Sequence, residues 1–206
     1  METLYKALLV MHVISGLTSL ITGLIAIVSK KGKRIHRTTG ITYFYSMLIV
    51  CLSAISISLL KNNIFLLHVG IFSFAMVYNG YKSIKNKSLY PDILDWIVLI
   101  IGLVNSIIMI SSLKIILIVF GIIGASLCYS DIKIFISIIM KKELPKNQWL
   151  LRHLGMMLGG YISTLSAFIV VNIQYTEYPL IPWLAPTIIG TPLIAYWTSK
   201  YKIKNN

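Results

Sequence analysis

The stretch WLLRHLGMMLGGYISTLSAF, residues 149–168, decides the fold of this chain. It is almost entirely apolar and matches the roughly 20 residues that a helix needs to cross a bilayer. Its ionisable side chains, Arg152 and His153, lie next to each other near its start. Because ionisable groups are costly in hydrocarbon, they usually mark either a functional path or an anchor at the membrane surface. The stretch therefore predicts a transmembrane helix and makes both residues functional candidates.

The rest of the chain has the same character. Of its 206 residues, 57% are hydrophobic, against about 45–50% in soluble domains, and its mean hydropathy is +0.82. The connections between apolar runs are short, so any chemistry must come from helix side chains and short loops. The sequence predicts one all-α domain over residues 1–206, an integral membrane bundle of seven transmembrane helices. Their approximate ranges are 4–28, 38–60, 63–84, 92–112, 114–139, 149–172 and 181–199.

The basic residues give the orientation of these helices. Nineteen Lys and Arg against six Asp and Glu make a net charge of +13, which in a soluble protein would suggest a nucleic-acid partner. Here most basic residues fall on one side of the predicted helices, which is typical of the cytoplasmic side. The sequence therefore predicts an outside N-terminus, a cytoplasmic C-terminus and a multi-pass protein of a bacterial cytoplasmic membrane. It favours anionic lipid head groups as partners and argues against nucleic acid. The residues on the cytoplasmic side are Lys30, Lys31, Lys33, Arg34, Arg37, Lys82, Lys85, Lys87, Lys133, Lys141, Lys142, Lys146, Arg152, Lys200, Lys202 and Lys204.

All four histidines fall on predicted helices or at their mouths. At a rise of about 1.5 Å per residue, His12 and His68 lie about 12 Å and 8 Å below the outer boundary. His153 lies about 6 Å above the cytoplasmic boundary, and His36 lies near that same surface. The histidines therefore sort by depth into an outer pair and an inner pair. Two histidines of different helices at one depth are what bis-imidazole ligation of haem iron requires.

Other interpretations of the histidines remain open. Small residues share the helix faces of His12 and His153, and such stripes also serve as packing seams between helices. His36 stands among Lys33, Arg34 and Arg37 and is equally compatible with a solvated or phosphate-facing position. A lone histidine in a membrane can form an interhelical hydrogen bond, and imidazole also suits zinc or copper. No HExxH or comparable metal-binding spacing is present.

The acidic and amide residues in the predicted helices have structural explanations. Asp92 follows Pro91 at the start of the fourth helix, where it is placed to cap the N-terminus. Asp131 lies near the cytoplasmic end of the fifth helix, so we expect an ion pair with Arg152 or with Lys133. Asn79 and Asn105, near the middle of the fourth helix, are each expected to form an interhelical hydrogen bond. No arrangement typical of a catalytic triad or of a phosphate-binding loop is present, and whether the chain is an enzyme stays open.

Three motifs carry a resemblance to a known family. They are HRTTGITYFYSM (36–47), RHLGMMLGGYISTLSAFIVVN (152–172) and WLAPTIIGTPLIAYW (183–197). With the opening HVISGLTSLITGLIAI (12–27), they resemble a family of bacterial multi-span membrane proteins known as domain of unknown function 2306. That family has no agreed activity, so the resemblance implies a fold and a set of residues. A looser similarity is to cytochrome-b-type bundles, which hold haem between histidines of different helices.

Our leading hypothesis from the sequence is a membrane protein that binds haem b and transfers electrons, with a quinone or another redox partner. His12 and His68 would ligate an outer haem, and His36 and His153 an inner one. Arg37 and Arg152 would pair with haem propionates or lipid phosphates, for which the planar guanidinium is suited. The alternatives are a transporter or binding protein for a small or lipid-like molecule, and a structural membrane subunit. In a transporter, Asp131, Asn105 and the histidines would relay protons.

Overall fold

The computed structural model describes residues 2–173, 178 and 180–202, and these residues form seven α-helices and no strand. Each helix is long and apolar enough to cross a membrane, which confirms the predicted seven-span, all-α fold. The protein is thus a multi-pass membrane protein. The helices are α1 Glu2–Val28, α2 Arg34–Lys61, α3 Ile64–Lys85, α4 Ile93–Ser111, α5 Ile115–Ile139, α6 Gln148–Asn172 and α7 Leu180–Tyr201.

The helix ends agree with the predicted ranges except at the start of α2. This helix begins at Arg34, about one turn before the apolar run, because a helix continues beyond the hydrocarbon wherever its backbone stays hydrogen-bonded. At its other end, Asn62 adopts a left-handed conformation with φ of 51°, and its N–H bonds to the carbonyl of Ser58. Asparagine tolerates this conformation better than most residues. The tight turn between α2 and α3 follows from it.

The start of α4 has the cap that the sequence predicts. Asp92 accepts a hydrogen bond from the Asp95 N–H at 3.0 Å, and Asp95 accepts one from the Asp92 N–H at 2.9 Å. This reciprocal capping box satisfies two backbone donors that a helix N-terminus leaves open. Lys82 of α3 bonds to the Asp92 carboxylate and lies 3.7 Å from Asp95. The hydrogen bond from Lys82 is the main cause that lowers the pKa of Asp92 below its usual value.

The chain divides into two compact units, Met1–Phe74 and Ala75–Asn206, here called the first unit and the second unit. In the first unit α1 packs against α2, and in the second unit α4 packs against α5 and α6 against α7. Glycine permits close approach of these helices. A Cβ atom at Gly121 of α5 would lie 2.9 Å from the carbonyl oxygen of Ser106 on α4. The single domain predicted over residues 1–206 stays a prediction.

Large apolar side chains cover much of the outer surface of the helices. Ile14 and Ile21 of α1 are 61% and 60% exposed, and Ile188 and Ile189 of α7 are 68% and 67% exposed. Such faces would promote aggregation in water, whereas hydrocarbon solvates them. The buried side chains include apolar ones such as Met47 and Met109, together with serine, asparagine and charged side chains that define the candidate sites.

Candidate functional site

In the first unit, His12 of α1 is fixed by a serine on α2. His12 Nδ1 lies 3.0 Å from Ser53 Oγ. The Ser53 hydroxyl lies 2.7 Å from the Ile49 carbonyl oxygen and 3.0 Å from that of Val50, to which it donates its proton. The serine oxygen therefore accepts from His12, and Nδ1 carries the imidazole proton. In the neutral ring the lone pair then lies on Nε2, the nitrogen that a metal would bind.

His68 lies on α3 within the same unit. Its side chain is buried, with 6% of the residue exposed. Two residues further along α3, the backbone of Gly70 approaches α2 closely, since a Cβ at Gly70 would be 3.4 Å from the Cβ of Ala54. Ala54 follows Ser53, the partner of His12. One turn of α2 thus contacts the helix segments that carry both histidines, although His68 lies about 200° around α3 from Gly70 and so not on the face that meets Ala54. The common depth of His12 and His68 stays a prediction.

His36 is also fixed through Nδ1, where α1 ends and α2 begins. Its Nδ1 donates to the carbonyl oxygen of Ala26 at 2.9 Å. The same carbonyl accepts from the Lys31 ammonium at 3.2 Å. Ala26 belongs to the last turn of α1, where carbonyl groups lack partners within the helix. His36 therefore caps the end of α1, a structural role that the sequence analysis did not identify.

In the second unit, Arg152 and Asp131 form a buried ion pair. Their side chains are only 4% and 3% exposed, and Arg152 Nε lies 2.7 Å from Asp131 Oδ1. Arg152 Nη2 donates to the other carboxylate oxygen at 2.9 Å. Two parallel hydrogen bonds of this kind are the strongest arrangement that arginine and a carboxylate can form. Of the two partners expected for Asp131, the structure selects Arg152.

Residues of α3 complete the shell around this ion pair. Asn79 Nδ2 donates to Asp131 Oδ2 at 3.0 Å, which confirms the interhelical hydrogen bond predicted for Asn79. Arg152 Nη1 donates to the Asn79 carbonyl oxygen at 3.0 Å and to Ser83 Oγ at 2.9 Å. The guanidinium carbon also lies 5.8 Å from the centre of the Phe135 ring. The charges of the pair are thus satisfied within the protein.

A small cavity adjoins the ion pair. Its volume of about 10 Å³ has room for about one water, and it is lined by Lys82, Asn86, Leu89, Asp95, Phe135 and Arg152.

His153 follows Arg152 on α6 and bonds to the same turn of α3. Its Nδ1 donates to the Gly80 carbonyl oxygen at 2.8 Å. A carbonyl oxygen only accepts, so here too Nδ1 carries the proton and Nε2 carries the lone pair in the neutral ring. Arg152 and His153 therefore bind adjacent backbone carbonyl groups, those of Asn79 and Gly80. Together they fix α6 against the second-unit part of α3.

We expect Gly80→Ala to destabilise the protein by about 1–3 kcal/mol, the usual cost of overpacking. A Cβ at Gly80 would lie 2.8 Å from Met157 Cγ and 3.1 Å from the Met157 backbone nitrogen, so α3 and α6 would have to separate. Thermal unfolding in detergent measures the effect. Gly155→Ala is the matched control, because a Cβ there has no neighbour within 4 Å and alanine favours the helix. Equal melting temperatures for the two variants would contradict this packing.

Asn105 Nδ2 donates to Met109 Sδ on its own helix at 3.2 Å, and its predicted bond to another helix stays a prediction. Arg37 is exposed near the start of α2, and its predicted contact with a propionate or a lipid phosphate stays a prediction. Among residues 2–173, 178 and 180–202, no group of three or more His, Cys, Asp or Glu side chains is placed to hold a metal ion. An open groove of about 660 Å³ runs along the N-terminal half of α1, lined by Thr3, Lys6, Ala7, Val10, Met11, Ile14 and Ser15.

Comparison with known proteins adds no relative. No family model, no curated protein and no solved structure matches this chain. The resemblance to domain of unknown function 2306 therefore stays a prediction, and functional inference depends on the residues themselves.

Proposed function

We propose that this chain is a haem-binding electron-transfer protein of a bacterial cytoplasmic membrane, and that its first unit holds haem b between His12 and His68. The observation that carries the proposal is the arrangement of these two histidines. They belong to different helices, α1 and α3, and the segments that carry them contact one turn of α2 at Ser53 and Ala54. Two imidazoles presented from two helices are the donor set of a bis-histidine haem site.

The protonation of His12 supports this assignment. An imidazole that binds a metal through Nε2 usually donates its Nδ1 proton to a nearby acceptor, which fixes the orientation of the ring and raises its basicity. Ser53 Oγ is such an acceptor at 3.0 Å, and Ser53 is fully buried. Its hydroxyl in turn bonds to the backbone of α2, so the serine is fixed before any ligand arrives. His12 is therefore held in the tautomer that a haem ligand needs.

The ligand set also determines the type of chemistry. Haem supplies one-electron redox chemistry when it is bound. Held by two histidines, haem would supply electron transfer rather than oxygen activation. Neutral imidazoles also add no charge in a region where uncompensated charge is costly. A quinone or another membrane redox partner would exchange electrons with such a site. The inner pair of His36 with His153, and the pairing of Arg37 and Arg152 with propionates, stay predictions from the sequence.

The absorption spectrum of the protein purified from haem-sufficient cells tests the proposal. We expect an intense Soret band, whose position changes on reduction with dithionite, and at least one haem per chain. A protein that folds, as judged by its helical circular dichroism, but shows no Soret band would contradict haem binding. An unchanged haem content in a chain that lacks His12 and His68 would contradict the assigned ligands.

A second candidate function follows from the groove along the N-terminal half of α1. Its volume of about 660 Å³ lies within the range of pockets that hold small molecules. Apolar side chains line most of it, and Lys6 lies towards its N-terminal end. These features favour a lipid-like molecule with an anionic head group. In that case the same purification would give a colourless protein from which organic solvent extracts the bound molecule.

A further inference from the structure

Two buried hydroxyl groups in the second unit have no partner among the residues that the structure describes. They are Ser166 Oγ on α6 and Thr187 Oγ1 on α7. Serine and threonine in membrane helices normally donate to a carbonyl of their own helix. Thr164 does so to Gly160 at 2.8 Å, and Thr191 does so to Thr187 at 2.7 Å. Ser166 is 0% exposed, so water outside the protein cannot satisfy its hydroxyl.

The two hydroxyl groups lie on facing surfaces at the same level. α6 packs against α7, and a Cβ at Gly190 would lie 2.3 Å from Ile162 Cδ1, which makes these two residues opposite neighbours. Successive membrane helices run antiparallel. The residue one turn after Ile162 on α6 therefore faces the residue one turn before Gly190 on α7. Residue 166 therefore faces residues 186 and 187. Ser166 lies on the same helix face as Ile162, and Thr187 on the same face as Gly190.

A backbone carbonyl at this level also lacks its helical donor. Pro186 lies inside α7, and proline has no N–H to donate to the carbonyl of the residue four positions earlier. That residue is Pro182, which is buried. In a membrane, carbonyl groups released in this way are satisfied by neighbouring side chains or by ordered water. The interface thus presents two hydroxyl donors and one carbonyl acceptor within about one helical turn.

We propose that this interface binds one hydroxyl oxygen, which accepts hydrogen bonds from Ser166 and Thr187 and donates its proton to the Pro182 carbonyl. A water molecule has this chemistry, and so has the hydroxyl group of a membrane-soluble molecule such as a quinol. The path from the bilayer to this site is short, because Ile188 and Ile189, which follow Thr187, are 68% and 67% exposed. The site does not depend on haem binding.

The test compares the double variant Ser166→Ala/Thr187→Val with the native chain in phosphatidylcholine nanodiscs, with and without decylubiquinol. The matched control is Ser126→Ala/Thr191→Val, which removes hydroxyl groups that already bond to their own helix. If water is the occupant, the double variant melts roughly 3–8 °C below the native chain, whether or not decylubiquinol is present. If a quinol hydroxyl is the occupant, decylubiquinol raises the melting temperature of the native chain and of the control but not of the double variant.

One result overturns the proposal. If nothing bridges the two hydroxyl groups, replacing them by alanine and valine removes the free-energy cost of two unpaired buried groups. A double variant that melts at or above the native temperature, with no difference in its response to decylubiquinol, would therefore show that the interface is empty. Thr187→Ser retains the hydroxyl with less side-chain volume and is expected to behave as the native chain. A Thr187→Ser variant that loses stability while Thr187→Val does not would show that packing of the methyl group, rather than hydrogen bonding, is what the threonine contributes.

Discussion

Asp131→Ala is expected to destabilise the protein by about 3–5 kcal/mol, the usual cost of removing one partner from a buried ion pair. The variant leaves the Arg152 guanidinium in a site where its side chain is only 4% exposed, without the carboxylate that accepts two of its hydrogen bonds. Asn79 loses the acceptor of its side-chain amide as well. The adjoining cavity has room for only about one water, so most of the desolvation cost remains. Thermal unfolding in detergent would show a fall of roughly 8–15 °C.

Two further variants separate the ion pair from a general effect of mutating α5. Lys133→Ala removes a charge on the same helix that is exposed and lies 5.4 Å from the Tyr129 ring, so we expect a change of at most about 1 kcal/mol. The double variant Asp131→Leu/Arg152→Met replaces both charges by apolar side chains and is expected to recover much of the stability. A single Asp131→Ala variant as stable as Lys133→Ala would contradict the buried pair.

The second large effect concerns haem. His12→Ala and His68→Ala are each expected to remove the haem of the first unit, because loss of one axial ligand leaves the iron with a single protein bond. His36→Ala and His153→Ala are the matched controls for this haem. Their Nδ1 atoms bond to the carbonyls of Ala26 and Gly80, so these substitutions alter helix contacts elsewhere. Haem content per chain, measured as the pyridine haemochrome, reports the outcome. Retention of full haem in His12→Ala would contradict its role as a ligand.

The sequence predicts the fold well because the membrane imposes one requirement. A spanning helix must satisfy its own backbone and present about 20 apolar residues, so apolar runs and helices coincide. The beginning of α2 is the exception, since its first turn carries Arg34 and Arg37 outside the apolar run. Hydropathy marks where the hydrocarbon begins, whereas the end of a helix depends on local hydrogen bonding.

The ion pair could be predicted only as one of two alternatives. Asp131 and Lys133 are two residues apart on α5, about 200° around the helix, so their side chains cannot face each other. That argument favours Arg152 and was available from the sequence. For Asn79 the sequence predicts an interhelical hydrogen bond but not its partner, Asp131, 52 residues away. The contributions of Ser83 and the Gly80 carbonyl were not available, because they lie 69 and 73 residues away along the chain. Which turn of α3 faces α6 depends on how the helices pack.

The histidines show a similar limit. The expected depth of each histidine in the membrane follows from its position along its helix, and His12 and His68 have similar expected depths. The tautomer does not follow from sequence, since it depends on Ser53, 41 residues away from His12. His36 could be predicted to lie near the membrane surface, but its bond to the Ala26 carbonyl depends on how the chain turns between α1 and α2. Sequence identifies the candidate ligands, and packing determines which nitrogen each of them presents.

The most direct test of the central claim is the haem content of the double variant His12→Ala/His68→Ala, compared with the two single variants. If both histidines ligate one iron, either single substitution already removes that haem. The account therefore predicts that the double variant loses no more haem than each single variant. A double variant that loses twice as much as either single variant would show that the two histidines bind different haems, and a native chain without haem would contradict the account altogether.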